Sequence, residues 1–220
     1  MAVTGIYLVQ GQGAPSLPVL SDRLARAFDP LPAGPWVLQH RLFRANPAPA
    51  SALDTAPPRL QHLVALSHHA GRAFALVDCD DDATVAMPLH HMEPYAQLLS
   101  AKFGALWHYR TGNHVTNGAA YAVDGCVVRV GELRERGGQQ AFRGLIVSIQ
   151  TVKQESGEGV EGSESVKKDE KEPQELIREL WQKLDVRDAK QFMVSIDTDD
   201  VDAAAAQEAK LWCDVLRQAK

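Results

Sequence analysis

Two adjacent histidine pairs, His68-His69 and His90-His91, with Glu93 close behind the second, are the side chains best equipped for chemistry. Neutral imidazoles joined by a carboxylate bind transition metals. On a strand, however, neighbouring residues point to opposite faces, so each pair offers at most one ligand per face. No further ligand stands at the spacing of a zinc motif. Both pairs read as histidines of polar turns, and no metal ligand is assigned.

Other candidate chemistry is weaker still. Asp78-Cys79-Asp80-Asp81-Asp82 has the acidity of a calcium loop but lacks the glycine at its sixth position and the glutamate at its twelfth. Gly11-x-Gly13 lacks the third glycine and the Lys-Ser/Thr pair of phosphate-binding loops. The Gly-x-Ser-x-Gly elbow of hydrolases is absent. A barrel phosphohydrolase would need Glu-x-Glu on one strand and basic partners on others, holding metal and triphosphate in its lumen. Val3–Val9 carries no charge, and Arg129 and Glu132 lie on opposite faces by parity. No catalytic or cofactor-binding residue is assigned.

The elements that would position such residues are mostly strands. Val3–Val9, Trp36–Arg44, Arg59–Ser67, Ala73–Asp78, Thr84–Met87 and Leu106–His114 are β-type runs. Gly71 pivots a hairpin, and Asp29-Pro30 with the prolines up to Pro35 ends the preceding helix. From Ala119 to Thr151 two apolar runs flank Gly137-Gly138 as one long hairpin. Within it Leu145, Val147 and Ile149 alternate with Ile146 and Ser148, and both faces are apolar enough to be buried. Helices are expected from Ser16 (Leu17, Leu20, Leu24, Phe28 as the stripe) and from Pro94 (Tyr95, Leu98, Leu99, Lys102, Phe103). Two more start at Pro173 (Leu176, Ile177, Leu180, Leu184) and after Asp199 (Val201, Ala205, Trp212, Leu216, Ala219). Lys190–Ile196 fits strand or helix. About eight strands and four helices result, an α+β fold with an antiparallel β-barrel flanked by helices. Residues 1–152 and 173–220 form a single domain. Asn46–Pro58 is a loop, and 153–172, rich in Gly, Ser, Glu and Lys, is a disordered charged linker.

Composition narrows the function. The chain has 220 residues and a net charge of -5, which supplies no field for phosphate backbones, so direct DNA binding is disfavoured. Three cysteines, Cys79, Cys126 and Cys213, argue for free thiols in a reducing compartment. The start has no signal-peptide pattern, and no apolar run spans a bilayer. Trp36, Trp107, Tyr109 and Phe142 are core residues or interface anchors.

Several segments resemble a known family: GIYLVQ, WVLQHRLFR, LVALSHHAGRAFALVD, ALWHYRTGNHV, IRELWQKLDVRDAKQF and, most specifically, YAVDGCVVRVGELRERGGQQAFRGLIVSIQ. They are similar to the fungal form of Mediator subunit 20, a family related to the TATA-box-binding protein. The resemblance implies a nuclear, non-enzymatic component of the Mediator head module with a barrel flanked by helices. It further implies a heterodimer with the similarly folded subunit 18, tethered by the C-terminal helix of subunit 8, relaying signals to RNA polymerase II. Within the long hairpin, Arg129, Glu132, Arg134, Gln139, Gln140 and Arg143 are the candidate partner contacts. The competing expectations are a metal-dependent phosphohydrolase and a DNA-binding transcription factor.

Overall fold

A computed structural model describes residues 2–11, 14–46, 59–78, 83–137, 140–152, 172–198 and 200–219. The expected loop after Asn46, the acidic turn at 80–82, Cys79, Gly138 and Gln139 lie outside these residues, as does the expected linker except Glu172. The strands are β1 (Ala2–Val9), β2 (Leu31–Ala45), β3 (Leu60–Leu66), β4 (Arg72–Asp78), β5 (Ala83–Pro88), β6 (Trp107–Val123), β7 (Cys126–Glu135), β8 (Phe142–Thr151) and β9 (Ala189–Ile196). The helices are α1 (Leu17–Ala27), α2 (Met92–Ala101), α3 (Pro173–Lys183) and α4 (Val201–Gln218). All strand pairs are antiparallel.

The strands form one sheet in the order β5-β4-β3-β2-β6-β7-β8-β1-β9. Its edges, β5 and β9, are the two strands farthest apart in that order, yet α4 touches both, and β1, β3 and β4 as well. One helix can meet both edges only if the sheet curls around it. The result is a half-barrel whose trough is filled by α4.

Strand periodicity divides the core between the two faces. Ile146 of β8 faces the trough with Ile6, Leu38, Val64 and Phe74, where α4 adds Ala209, Trp212 and Leu216. Leu145, Val147 and Ile149 face outward with Val128 and Val130, covered by Leu20 and Leu24 of α1 and Ile177 and Leu180 of α3. Tyr7 stacks on Trp181 at 3.9 Å and 6°, fixing α3 against β1. Farther along the outer face, α2 covers Phe43, Leu63 and Ala75 with Met92, Ala96 and Leu99. The two apolar faces of β8 are thus both used, as its sequence demands.

Three expectations change, and one open choice is settled. The span Ala119–Thr151 is not one hairpin: Asp124 (φ 45°) and Gly125 (φ 76°) turn the chain between β6 and β7, so the first run belongs to two strands. Successive positive φ values suit a two-residue hairpin turn, and Asp-Gly supports them at low steric cost. The strand expected from Trp36 begins earlier, at Leu31, so Pro32 and Pro35 sit inside β2, where the register against β6 shifts. The second helix starts at Met92 and buries Met92, Ala96 and Leu99, whereas Leu98 and Phe103 stay exposed. Residues 189–196 are a strand, paired with β1 along its full length. No helix among the described residues is long and apolar enough to cross a membrane.

Candidate partner interface and buried polar cluster

The polar tip of the β7–β8 hairpin is held by ion pairs on its own strands. Glu132 accepts from Arg134 at 2.6 Å, and Arg143 pairs with Glu135. These four side chains are part-exposed, so they present a rigid, mixed-charge surface rather than a basic one. Gln140 holds a left-handed backbone (φ 48°) in the turn. Arg129 does not join them. By strand parity it faces the trough, is buried, and donates from Nη1 to Gln150 Oε1 at 3.0 Å. Burial lowers its pKa while the nearby Glu208 carboxylate raises it. Sequence parity correctly separates Arg129 from Glu132, but burial removes Arg129 from any surface set.

Beside the tip, a cleft of about 510 Å³ lies between α2, β2 and β6, lined by Arg41, Phe43, Glu93, Ala96, Tyr109 and Arg136. Glu93 is its charged centre: Arg41 pairs with it directly and Arg136 approaches within 3.6 Å. The hydrogen bond from Arg41, with the two guanidinium charges, holds the Glu93 carboxyl below its ordinary pKa. Glu93 therefore anchors α2 to the sheet. Tyr109 meets Phe43 edge-on at 5.7 Å. Burial raises its phenol pKa, although the residue remains 45% exposed. Leu106 (60% exposed) and Phe142 (47% exposed) are further uncovered apolar side chains. Large apolar groups left in water next to arginines are the usual makings of a protein interface. Of the four aromatics singled out in the sequence, Trp36 is core, Tyr109 and Phe142 are exposed, and Trp107 is intermediate.

In the trough the polar groups converge on α4. Glu208 is 1% exposed and accepts from His68 Nε2 at 2.8 Å, His69 Nε2 at 3.1 Å and Trp212 Nε1 at 3.2 Å, with Gln150 Nε2 at 3.4 Å. The hydrogen bonds from His68 and His69 overcome the desolvation that would raise its pKa, so Glu208 stays ionised well below the usual carboxylate range. His68 is itself lowered by burial. Both stand in the β3–β4 turn, as expected, and off the pleat, so the strand rule that sends neighbours to opposite faces does not apply to them. A separate pair, His40 and His62, is buried with Nε2 and Nδ1 3.0 Å apart. Burial lowers both pKa values, His62 to about 4. No sequence motif announces Glu208, which is 139 and 140 residues from its histidines.

The chain matches, over residues 1–218, the family described as "TATA-binding related factor (TRF) of subunit 20 of Mediator complex". No curated protein matches it. Among solved structures it is similar to the PH1012 protein of Pyrococcus horikoshii OT3, at 10% identity and a TM-score of 0.44, covering 86% of this chain and 94% of that one. The PH1819 protein of the same organism matches at 13% identity and 0.42, covering 86% and 93%.

Proposed function

Because the chain belongs to the family of TATA-binding related factors that form subunit 20 of the Mediator complex, we propose that it works as a non-enzymatic subunit of the Mediator head. Its role as a Mediator component in nuclear transcription follows from the family. In the finer reading it heterodimerises with the similarly folded subunit 18, is tied to the head through the C-terminal helix of subunit 8, and relays regulatory signals to RNA polymerase II.

One observation carries the docking surface. Leu106, just before β6, Tyr109 within β6 and Phe142 at the start of β8 are large and exposed, and Arg136 lines the cleft beside Tyr109. The part-exposed Glu132, Arg134 and Arg143, with Gln140 in the turn, supply the polar groups of the proposed surface. Gln139, outside the described residues, stays a candidate contact from the sequence. The buried polar side chains around Glu208 bond mainly to one another, which suits holding a scaffold together better than turning over a substrate.

Co-expression with subunit 18 tests the reading. The two chains should co-elute as a 1:1 complex that survives size exclusion, and the pair should then capture the subunit 8 helix. A stable monomer that ignores subunit 18 would reject it. Metal-dependent release of phosphate from a nucleoside triphosphate, abolished by Glu132→Gln, would instead support an enzyme.

A further inference from the structure

We propose that His68, His69 and Glu208 form a binding site for one divalent transition-metal ion, with zinc the best match, which staples α4 to the β3–β4 turn. Two imidazoles and one carboxylate are a ligand set that zinc accepts with a fourth, open position. Three features support the assignment.

The first is convergence. His68 Nε2 and His69 Nε2 each reach a different oxygen of one carboxylate, and the ligand atoms lie within 4.8 Å of one another. Around a tetrahedral zinc with bonds of about 2.0–2.1 Å, neighbouring ligand atoms stand about 3.3 Å apart. The contacts of 2.8 and 3.1 Å run to different oxygens of Glu208, so one opens slightly while the widest ligand pair, within 4.8 Å, closes by up to about 1.5 Å as the carboxylate and the imidazoles turn toward the ion. Both histidines would then use an Nε2 lone pair and carry the proton on Nδ1.

The second is the outer layer. Ligating carboxylates are held by further hydrogen bonds, which orient them and raise affinity. Here Trp212 Nε1 donates to Oε1 at 3.2 Å and Gln150 Nε2 approaches Oε2 at 3.4 Å. Arg129 holds the Gln150 amide by donating to its Oε1 at 3.0 Å, which aims the amide nitrogen at Glu208.

The third is space. A cavity of about 240 Å³ opens directly on His69, Gln150 and Glu208. Its polar side admits a water as fourth ligand, and its apolar side, with Ile196 and Ala205, shields the ion from bulk solvent.

The test uses the full chain, stripped with a chelator and titrated with zinc, and with cobalt(II) as a spectroscopic probe. The natural chain should take up one equivalent, give the visible bands of four-coordinate cobalt, and show the metal-bound Nε2 signal of two histidines by NMR. His68→Ala or His69→Ala should each lower zinc affinity at least about a hundredfold, and Gln150→Leu about 10–100-fold. Replacing His90 and His91 together should change nothing. No saturable one-to-one uptake by the folded natural chain overturns the site without recourse to any variant. Equal affinity in the His68 and His69 variants overturns it as well.

Discussion

Trp212 of α4 packs against Trp36 of β2 with ring centroids 5.5 Å apart and planes tilted by 39°. Both indoles are essentially unexposed, and together they join the only helix of the trough to the middle of the curled sheet, among the described residues. Offset aromatic pairs of this kind add to the area that they bury. Trp212→Ala should cost about 3–5 kcal/mol, read as a lower denaturant midpoint. A loss below about 1 kcal/mol would show that α4 is not integral to the core.

Room for Trp36 is made by glycine. A methyl group on Gly131 would overlap Val115 Cγ1 and stand 3.3 Å from the Trp36 ring, and one on Gly118 would lie 2.7 Å from it. Neither glycine has a positive φ, so the demand is steric. Gly131→Ala should destabilise by about 1–3 kcal/mol through overpacking, measurable in a thermal melt. An unchanged melt would mean that the ring is free to shift.

Acid should weaken the fold in two steps. His62 has a folded pKa of about 4 against an ordinary 6.5, because burial disfavours its charge. Between those values the unfolded chain binds a proton that the folded chain refuses, so stability falls as pH drops from 6.5 to 4. The loss is about 3 kcal/mol for this residue. His40, shifted in the same direction, adds to it. Glu208 acts at lower pH: its depressed pKa contributes stability that is present above about 4.5 and is lost on further acidification. Urea midpoints across this range should fall as the pH drops, and His62→Leu should flatten the first step.

Cysteine reactivity reports whether the trough is open. Burial pushes the Cys126 thiol up to about 11 and that of Cys213 higher still. Both thiols are buried. Alkylation at pH 8 followed by mass spectrometry should leave the two unmodified in the folded chain and label them after denaturation. Fast labelling of Cys213 in native conditions would mean that α4 leaves the trough.

The exposed apolar side chains should matter for binding and not for folding. Leu106→Asp or Phe142→Asp, at side chains about half or more exposed, should shift the melt little. Each should weaken capture of subunit 18 by about 30-fold or more if it sits at the centre of the interface. Wild-type affinity in both variants would move the interface elsewhere on the surface.

Much of this architecture was legible from local pattern. The stripes Leu20–Leu24 and Ile177–Leu180–Leu184 named the buried faces of α1 and α3. The alternation in β8 announced a strand covered on both sides. Such features depend on neighbours within a few residues, where period and side-chain volume suffice. The family resemblance was legible in the same strings. The turn at Asp124-Gly125 carried its signal too, but apolar runs on both sides hid it.

Sequence-distant pairing decided the rest. Residues 189–196 could suit either structure alone and became a strand because β1 offered a free edge. Arg129 and Glu208 look like ordinary surface charges in the chain, yet curling of the sheet around α4 buries both and supplies their partners. Local propensity is encoded within a turn or two. Which charges lose water, and what replaces it, depends on how strands at opposite edges of one nine-stranded sheet are brought to the same helix.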